Sequence, residues 1–329
     1  MLTRPPEGAP DPAPEDRWVS AHVFTGHPLD LVVRELIPPA VAELRLRGLA
    51  DRFFFLRHWQ GGPHLRLRVR TTTPAAAPQV RATLHTHATA MFAGLPVSRP
   101  MTERQYAALA RDLAAAEPDI EPGVLAPNDS LAFQVYRPEH GKYGHGDALR
   151  AVEDAFATCS ELALAAVLAP WSPAQRTAHC FALLAGSTDA PAPPGRPTPD
   201  ALAQYKDKRA ALLTVARAAR TAVRAGAGGL ADIDPGHADP LDADPVSRWL
   251  AACRNAQRHV ARPARLAGHL THLACNRLDV RPGQEATLRA LAQLAVADAT
   301  GDDPPPALSA PRDTRHHRDR GRNDGGPPP

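Results

Sequence analysis

The stretch "GGPHLRLRVR", residues 61–70, alternates His64, Arg66, Arg68 and Arg70 with Leu65, Leu67 and Val69. Side chains along a β-strand point to opposite faces in turn, so the pattern predicts a strand with basic groups on one face and apolar groups on the other. Two readings of the basic face are open. It is either the solvated outer face of an edge strand, where charge discourages edge-to-edge pairing, or one wall of a preorganised anion site. Working outward, "RFFFLRH" at 52–58 is a second strand, and the short Gly-rich connection between the two reads as a hairpin. "RWVSAHVF" at 17–24 is an earlier strand. "LDLVVRELIPPAVAELRLRG" at 29–48 has helical spacing, with a Pro pair that predicts a kink or restart and Gly48 at its end.

Helical patterns follow at about 77–93 and 102–116, and "SLAFQVYRP" at 130–138 reads as a further strand. From 147 onward the apolar residues recur at helical spacing almost without interruption. The fold class expected is therefore α+β, with a mixed sheet in the N-terminal half and a mainly helical C-terminal half. Prolines concentrate in 1–15, 191–199 and 301–329. The last of these, with five Arg, five Asp and almost no large apolar residue, has the composition of a chain that cannot bury a core. The organisation predicted is a disordered segment 1–16, one domain over 17–300 and a disordered tail 301–329, with internal linkers at 191–199 and 226–245.

At 329 residues with 43% hydrophobic and 22% charged content, the chain is long enough to bury a sizeable core. Its net charge of only +3 demands neither a nucleic-acid nor a membrane partner. No N-terminal apolar run resembles a signal peptide, and "LALAAVLAP" at 162–170 is too short to cross a bilayer, which reads as a cytoplasmic protein. Cys159, Cys180, Cys253 and Cys275 show no CxxC spacing and fall in helical patterns, so buried, reduced thiols are expected rather than a disulfide framework or a zinc site. No metal or cofactor is expected. "HTH" at 85–87 sets two His roughly 200° apart around a helix. "GAGGLA" at 226–231 follows a helix rather than a strand, and the acidic loop after it lacks EF-hand spacing.

Three clusters of basic, aromatic and His residues stand apart: "FFFLRHWQGGPHLRLRVR" at 53–70, "YRPEHGKYGHGDALRAVEDAFATCS" at 136–160 and "HLTHLACNRL" at 269–278. In the last, treated as a helix, His272 and Asn276 form an i, i+4 pair on one face, which on its own reads first as a buried His satisfied by its neighbour. Taken in order, "FFFLRH", "GPHLRLRV", "YRPEHGKYG" before a helix with Glu153, Phe156 and Ser160, and "HLACNRL" with Glu285 downstream resemble the C-terminal domain of lantibiotic dehydratases. That domain also occurs as a stand-alone thiopeptide-type bacteriocin biosynthesis protein, and the likeness runs from about Trp18 to about Ala299.

The resemblance implies an enzyme acting on a leader-bearing precursor peptide. A separate glutamyl-tRNA-dependent protein would place glutamate on Ser or Thr, and this chain, without room for that module, would eliminate it as a lyase. A diverged branch of the family instead forms the thiopeptide pyridine by an aza-[4+2] cycloaddition, and an inactive leader-binding homologue is a third option; a homodimer is allowed. The family's elimination site uses arginines and one His, which carries over to His272 for proton transfer and to Arg57 and Arg66 as carboxylate or enolate partners. Arg68, His64, Lys142, Tyr143 and Arg277 are the implied substrate-binding set. Two departures from the family pattern are Lys142 and His145 in "KYGH", where Arg and Gly are usual, and Ala274, where a second His is common. Lys is a point charge and does not make the two-pronged contact of Arg.

Overall fold

The computed structural model describes residues 17–116, 121–187, 198–228 and 245–301. The segments expected to be disordered, apart from Gly301, and most of both internal linkers lie outside the described residues. The elements run β1 (Trp18–Phe24), α1 (Leu29–Leu46), β2 (Ala50–His58), β3 (His64–Thr71), a single 3-10 turn, α2 (Ala77–Gly94), α3 (Glu103–Ala116) and β4 (Ser130–Gln134). The helices α4 (His140–Tyr143), α5 (Asp147–Leu168), α6 (Pro173–Ser187), α7 (Pro199–Gly228), α8 (Pro245–Arg258), α9 (Pro263–Arg277) and α10 (Pro282–Thr300) follow. The chain is thus α+β, with its sheet in the N-terminal half and helices filling the C-terminal half. No described helix is long and apolar enough to cross a membrane.

The sheet has the order β2-β3-β1-β4 and pairs antiparallel at all three interfaces, a more specific arrangement than the mixed sheet expected. β3 is consequently an inner strand, and the edge-strand reading of its basic face does not hold. Its odd-numbered side chains Leu65, Leu67 and Val69 join Val19, Ala21, Val23, Phe53 and Phe55 in a core beneath α1 and α2. The opposite face meets α5, where Phe156 lies 5.3 Å from Phe54, ring centre to ring centre. Helices thus pack on both faces, and the second face stays partly open along Arg66, Arg68 and Arg70.

The outer backbone edge of β2 is closed by side chains of the C-terminal helices. Ser160 Oγ of α5 accepts the Phe55 N–H at 3.1 Å, and Arg277 Nε donates to the Phe55 carbonyl at 2.8 Å. One residue pair along, Asn276 accepts the Arg57 N–H at 3.0 Å and donates to its carbonyl at 2.9 Å, as a neighbouring strand would. Helix α1 runs unbroken through Pro38 and Pro39. The carbonyls deprived of donors are those of Arg34 and Glu35, both exposed residues on the outer face of the helix. β4 stops at Gln134, short of the expected 138, because the chain leaves the sheet to bring the Tyr136 hydroxyl to Glu153 on α5 at 2.9 Å. The four cysteines are buried and unbridged.

A satellite cluster forms at the β2–β3 turn, where Trp59 packs with Tyr106 and Ala110 of α3. The Tyr106 hydroxyl accepts the Gly61 N–H at 2.7 Å and donates to the Pro122 carbonyl, tying α3 and the loop behind it to the turn.

Candidate functional site

On the cationic face of β3 the four basic residues have different surroundings. Arg70 pairs with Asp51 through two hydrogen bonds of 2.9 and 2.7 Å, away from the cleft described below. His64 is fully buried, with its ring 5.0 Å from that of His22, 4.4 Å from Phe24 and 5.4 Å from His58. Burial, reinforced by the charges of Arg66 and Arg68, lowers these rings to about 3 for His22, about 2 for His58 and about 4 for His64. All three are neutral at physiological pH.

Arg66 and Arg68 open into a cleft of about 500 Å³ between the sheet, the segment after β4, and α9. Arg66 Nε donates to His64 Nε2 at 3.2 Å and its Nη2 to Gln60 Oε1 at 2.9 Å. The Arg68 guanidinium carbon lies 5.3 Å from the Phe54 ring centre and 4.8 Å from that of Tyr136, a stacked arrangement that favours arginine. Its Nε is buried without a hydrogen-bond partner, and among the described residues no carboxylate pairs with it. Burial holds its pKa below the ordinary arginine value, yet arginine stays charged. A buried cation without a counter-ion, facing a cleft, is a site for an anion.

Behind Tyr136, Glu153 also accepts the Trp18 indole N–H at 3.1 Å. Burial raises its carboxyl to about 7 against the pull of these two hydrogen bonds. Burial likewise pushes up the hydroxyl of Tyr143, which lines the cleft. Lys142, on the same wall, is half-exposed and bonded to Glu139 at 2.7 Å.

Helix α9 supplies the opposite wall. His272 Nδ1 lies 2.7 Å from Glu285 Oε2, and Arg289 bonds the other oxygen of that carboxylate at 2.7 Å. Burial opposes the charge on Glu285, but the hydrogen bonds from His272 and Arg289 outweigh it and hold the carboxyl below its ordinary value. A carboxylate on Nδ1 fixes the ring and leaves proton exchange to Nε2. His269, one turn earlier, lines the same cleft with its Nε2 buried and without a hydrogen-bond partner, and burial lowers its pKa.

The structure therefore brings Arg66, Arg68, Lys142, Tyr143 and His272 to one cleft. Arg57 reaches its back wall, but the guanidinium is already engaged by Asp30 and by the Arg277 carbonyl at 3.2 Å. Asp30 is in turn bonded by Arg176 at 2.7 Å. His64 and Arg277 do not line the cleft: His64 lies beneath Arg66, and Arg277 is buried with Nε on Phe55 and Ser160. Gln60, Tyr136 and His269 carry parts of the site that the sequence reading did not assign. "HLTH" held a signal, since His at i and i+3 share one helix face.

An α+β chain with a cationic cleft, a carboxylate-oriented His and a sheet packed by helices on both faces defines the class. The chain belongs to the lantibiotic biosynthesis dehydratase C-terminal family, whose profile matches residues 18–296. Among solved structures it is similar to the pyridine synthase TbtD from thiomuracin biosynthesis, at TM-score 0.64 and 22% identity, over 87% of this chain and 99% of that one. The tRNA-dependent lantibiotic dehydratase MibB from Microbispora sp. 107891 aligns at TM-score 0.54 and 18% identity, over 92% of this chain and 29% of that much longer one. TsrL aligns at TM-score 0.54 and 17% identity, over 87% and 96% of the two chains. At these identities the likeness establishes a shared fold. A comparison with curated protein sequences gives no significant match.

Proposed function

We propose that this chain eliminates glutamate from O-glutamylated Ser or Thr of a leader-bearing precursor peptide, leaving dehydroalanine or dehydrobutyrine. The observation that carries the reading is the pairing, in one cleft, of a Glu285-oriented His272 with Arg68, a buried cation lacking a counter-ion among the described residues. His272 Nε2 removes the Cα proton, the electron pair is held as an enolate at the residue's carbonyl, and the Cβ–O bond then breaks as glutamate departs with its carboxylate. The leaving group carries two carboxylates, for which the paired N–H groups of Arg66 and Arg68 are the geometric match. Arg57, engaged by Asp30, holds the back wall in place. The glutamyl group comes from a separate glutamyl-tRNA-dependent protein, and the reaction takes place in the cytoplasm.

A second reading, cycloaddition of two dehydroalanines to a pyridine core, is favoured by the alignment that spans 99% of TbtD, itself a pyridine synthase. A cycloaddition has no glutamate to recognise, and the cationic wall then lacks a partner, which places this reading second. The experiment is mass spectrometry of an O-glutamylated Ser peptide, with its cognate leader, after incubation with the purified protein. Loss of glutamate to a dehydroalanine peptide, abolished by His272→Ala, is the expected result. A persisting ester, with ring formation and leader release from a peptide already carrying two dehydroalanines, overturns it in favour of the cyclase. Silence with both substrates, accompanied by peptide binding, makes the chain a leader-binding homologue.

A further inference from the structure

His64 came into question as a substrate contact, but the structure leaves it no access to one: its side chain is fully buried one layer beneath the cleft surface. Its Nδ1 lies 2.8 Å from the Gly62 carbonyl, which only accepts, so the ring proton sits on Nδ1. Nε2 is left with its lone pair, and the Arg66 Nε–H donates to it at 3.2 Å. We propose that His64 is a positioning residue, whose neutral ring reads the Gly62 carbonyl on one side and fixes the Arg66 guanidinium on the other. The role rests on the reading of Arg66 as a glutamate partner.

Four features of the turn support it. Residues two apart on a strand share a face, so the ring of His64 and the stem of Arg66 lie side by side. The Gly62 carbonyl is aimed by a backbone φ of +109°, which L side chains rarely adopt, and a Cβ there would meet Leu125 Cδ1 at 2.9 Å. Gln60 holds the far end of the same guanidinium at 2.9 Å while its own amide donates to the Glu121 carbonyl at 2.7 Å. Burial next to Arg66 and Arg68 keeps the ring unprotonated at neutral pH, which preserves Nε2 as an acceptor. A protonated ring would present N–H to N–H and release Arg66. Arg68, two residues on, is oriented instead by the rings of Phe54 and Tyr136, so neighbouring cations are fixed by different means.

The test compares His64→Gln, whose side-chain oxygen reaches the place of Nε2, with His64→Asn, whose amide nitrogen stands at Nδ1 and offers Arg66 no acceptor. Two quantities are read: KM and kcat for the glutamylated peptide, and the NMR position of the Arg66 Nε–H signal, assigned by its disappearance in Arg66→Lys. Asn at position 64 is expected to shift the signal and raise KM about tenfold, the scale of one hydrogen bond to a charged group. Gln is expected to restore both. Equal behaviour of the two variants, with the Nε–H signal unmoved in each, overturns the assignment. If the parent protein releases no glutamate, the proposed function fails while the NMR signal still decides whether His64 holds Arg66.

Discussion

A row of alternating charges on a strand acquires meaning only from what lies opposite. Arg70 meets Asp51 and is neutralised, Arg66 meets a neutral His and an amide, and Arg68 meets two aromatic faces. The alternation itself was legible in residues 61–70 because side-chain period is a local property. Most of the partners were not, since Asp51, Phe54 and Tyr136 come from other parts of the chain. Glu153 illustrates the same limit: the sequence set it on a helix, and only the fold buries it against Trp18 and Tyr136. Its carboxyl, raised from 4.5 to about 7, gives a pH prediction. The folded protein keeps a proton there that the unfolded chain releases, so stability is complete below the unfolded value and declines as pH climbs toward the folded one. Thermal unfolding followed between those two pH values should show a decline of about 1 kcal/mol per pH unit from this group, and Glu153→Gln should flatten it. An unchanged slope would mean that Glu153 ionises normally in the fold.

At the scale of elements, the informative contact is between α9 and β2. Asn276 supplies the Arg57 backbone with both a donor and an acceptor, 219 positions away in sequence. The i, i+4 relation of His272 and Asn276 was visible in the sequence, but their division of labour was not: both line the cleft, and Asn276 also holds the sheet edge. Asn276→Leu should lower stability by about 2–4 kcal/mol, because it leaves a buried N–H and carbonyl unpaired, whereas a change at exposed Lys206 should cost under about 0.5 kcal/mol. Urea titration measures both. Arg57 was expected to meet substrate from its motif, and its engagement by Asp30 at the start of α1 depends on a helix docking that no local pattern reveals.

For the whole molecule, most of the buried apolar side chains belong to one continuous core, while Trp59, Tyr106 and Ala110 form a separate small one. The smaller unit, carried by α3 and the loop behind it, buries little apolar surface and is expected to open independently of the rest. Amide exchange in α3 should be faster than in α5, and Trp59→Ala should accelerate it further while leaving the global unfolding temperature within a few degrees. Equal exchange in the two helices would instead mean a single cooperative unit. The division into a sheet-bearing first half and a helical second half was readable from periodicity alone. That the two halves share a single core was not, because strand order and helix docking are set by contacts distant in sequence.

A sheet normally ends either at water or at another strand, and here it ends at a helix that imitates one. Since Asn276 copies the hydrogen bonds of a neighbouring strand, the distance of α9 from β2 is held by hydrogen-bond geometry in addition to the packing of its buried side chains. The side chains at 269 and 272, which line the cleft and take no part in that pairing, are then expected to tolerate exchange with little change in its width. Such a frame lets chemistry diverge while the aperture stays constant, and it offers protein engineers two positions at which to install a different reaction.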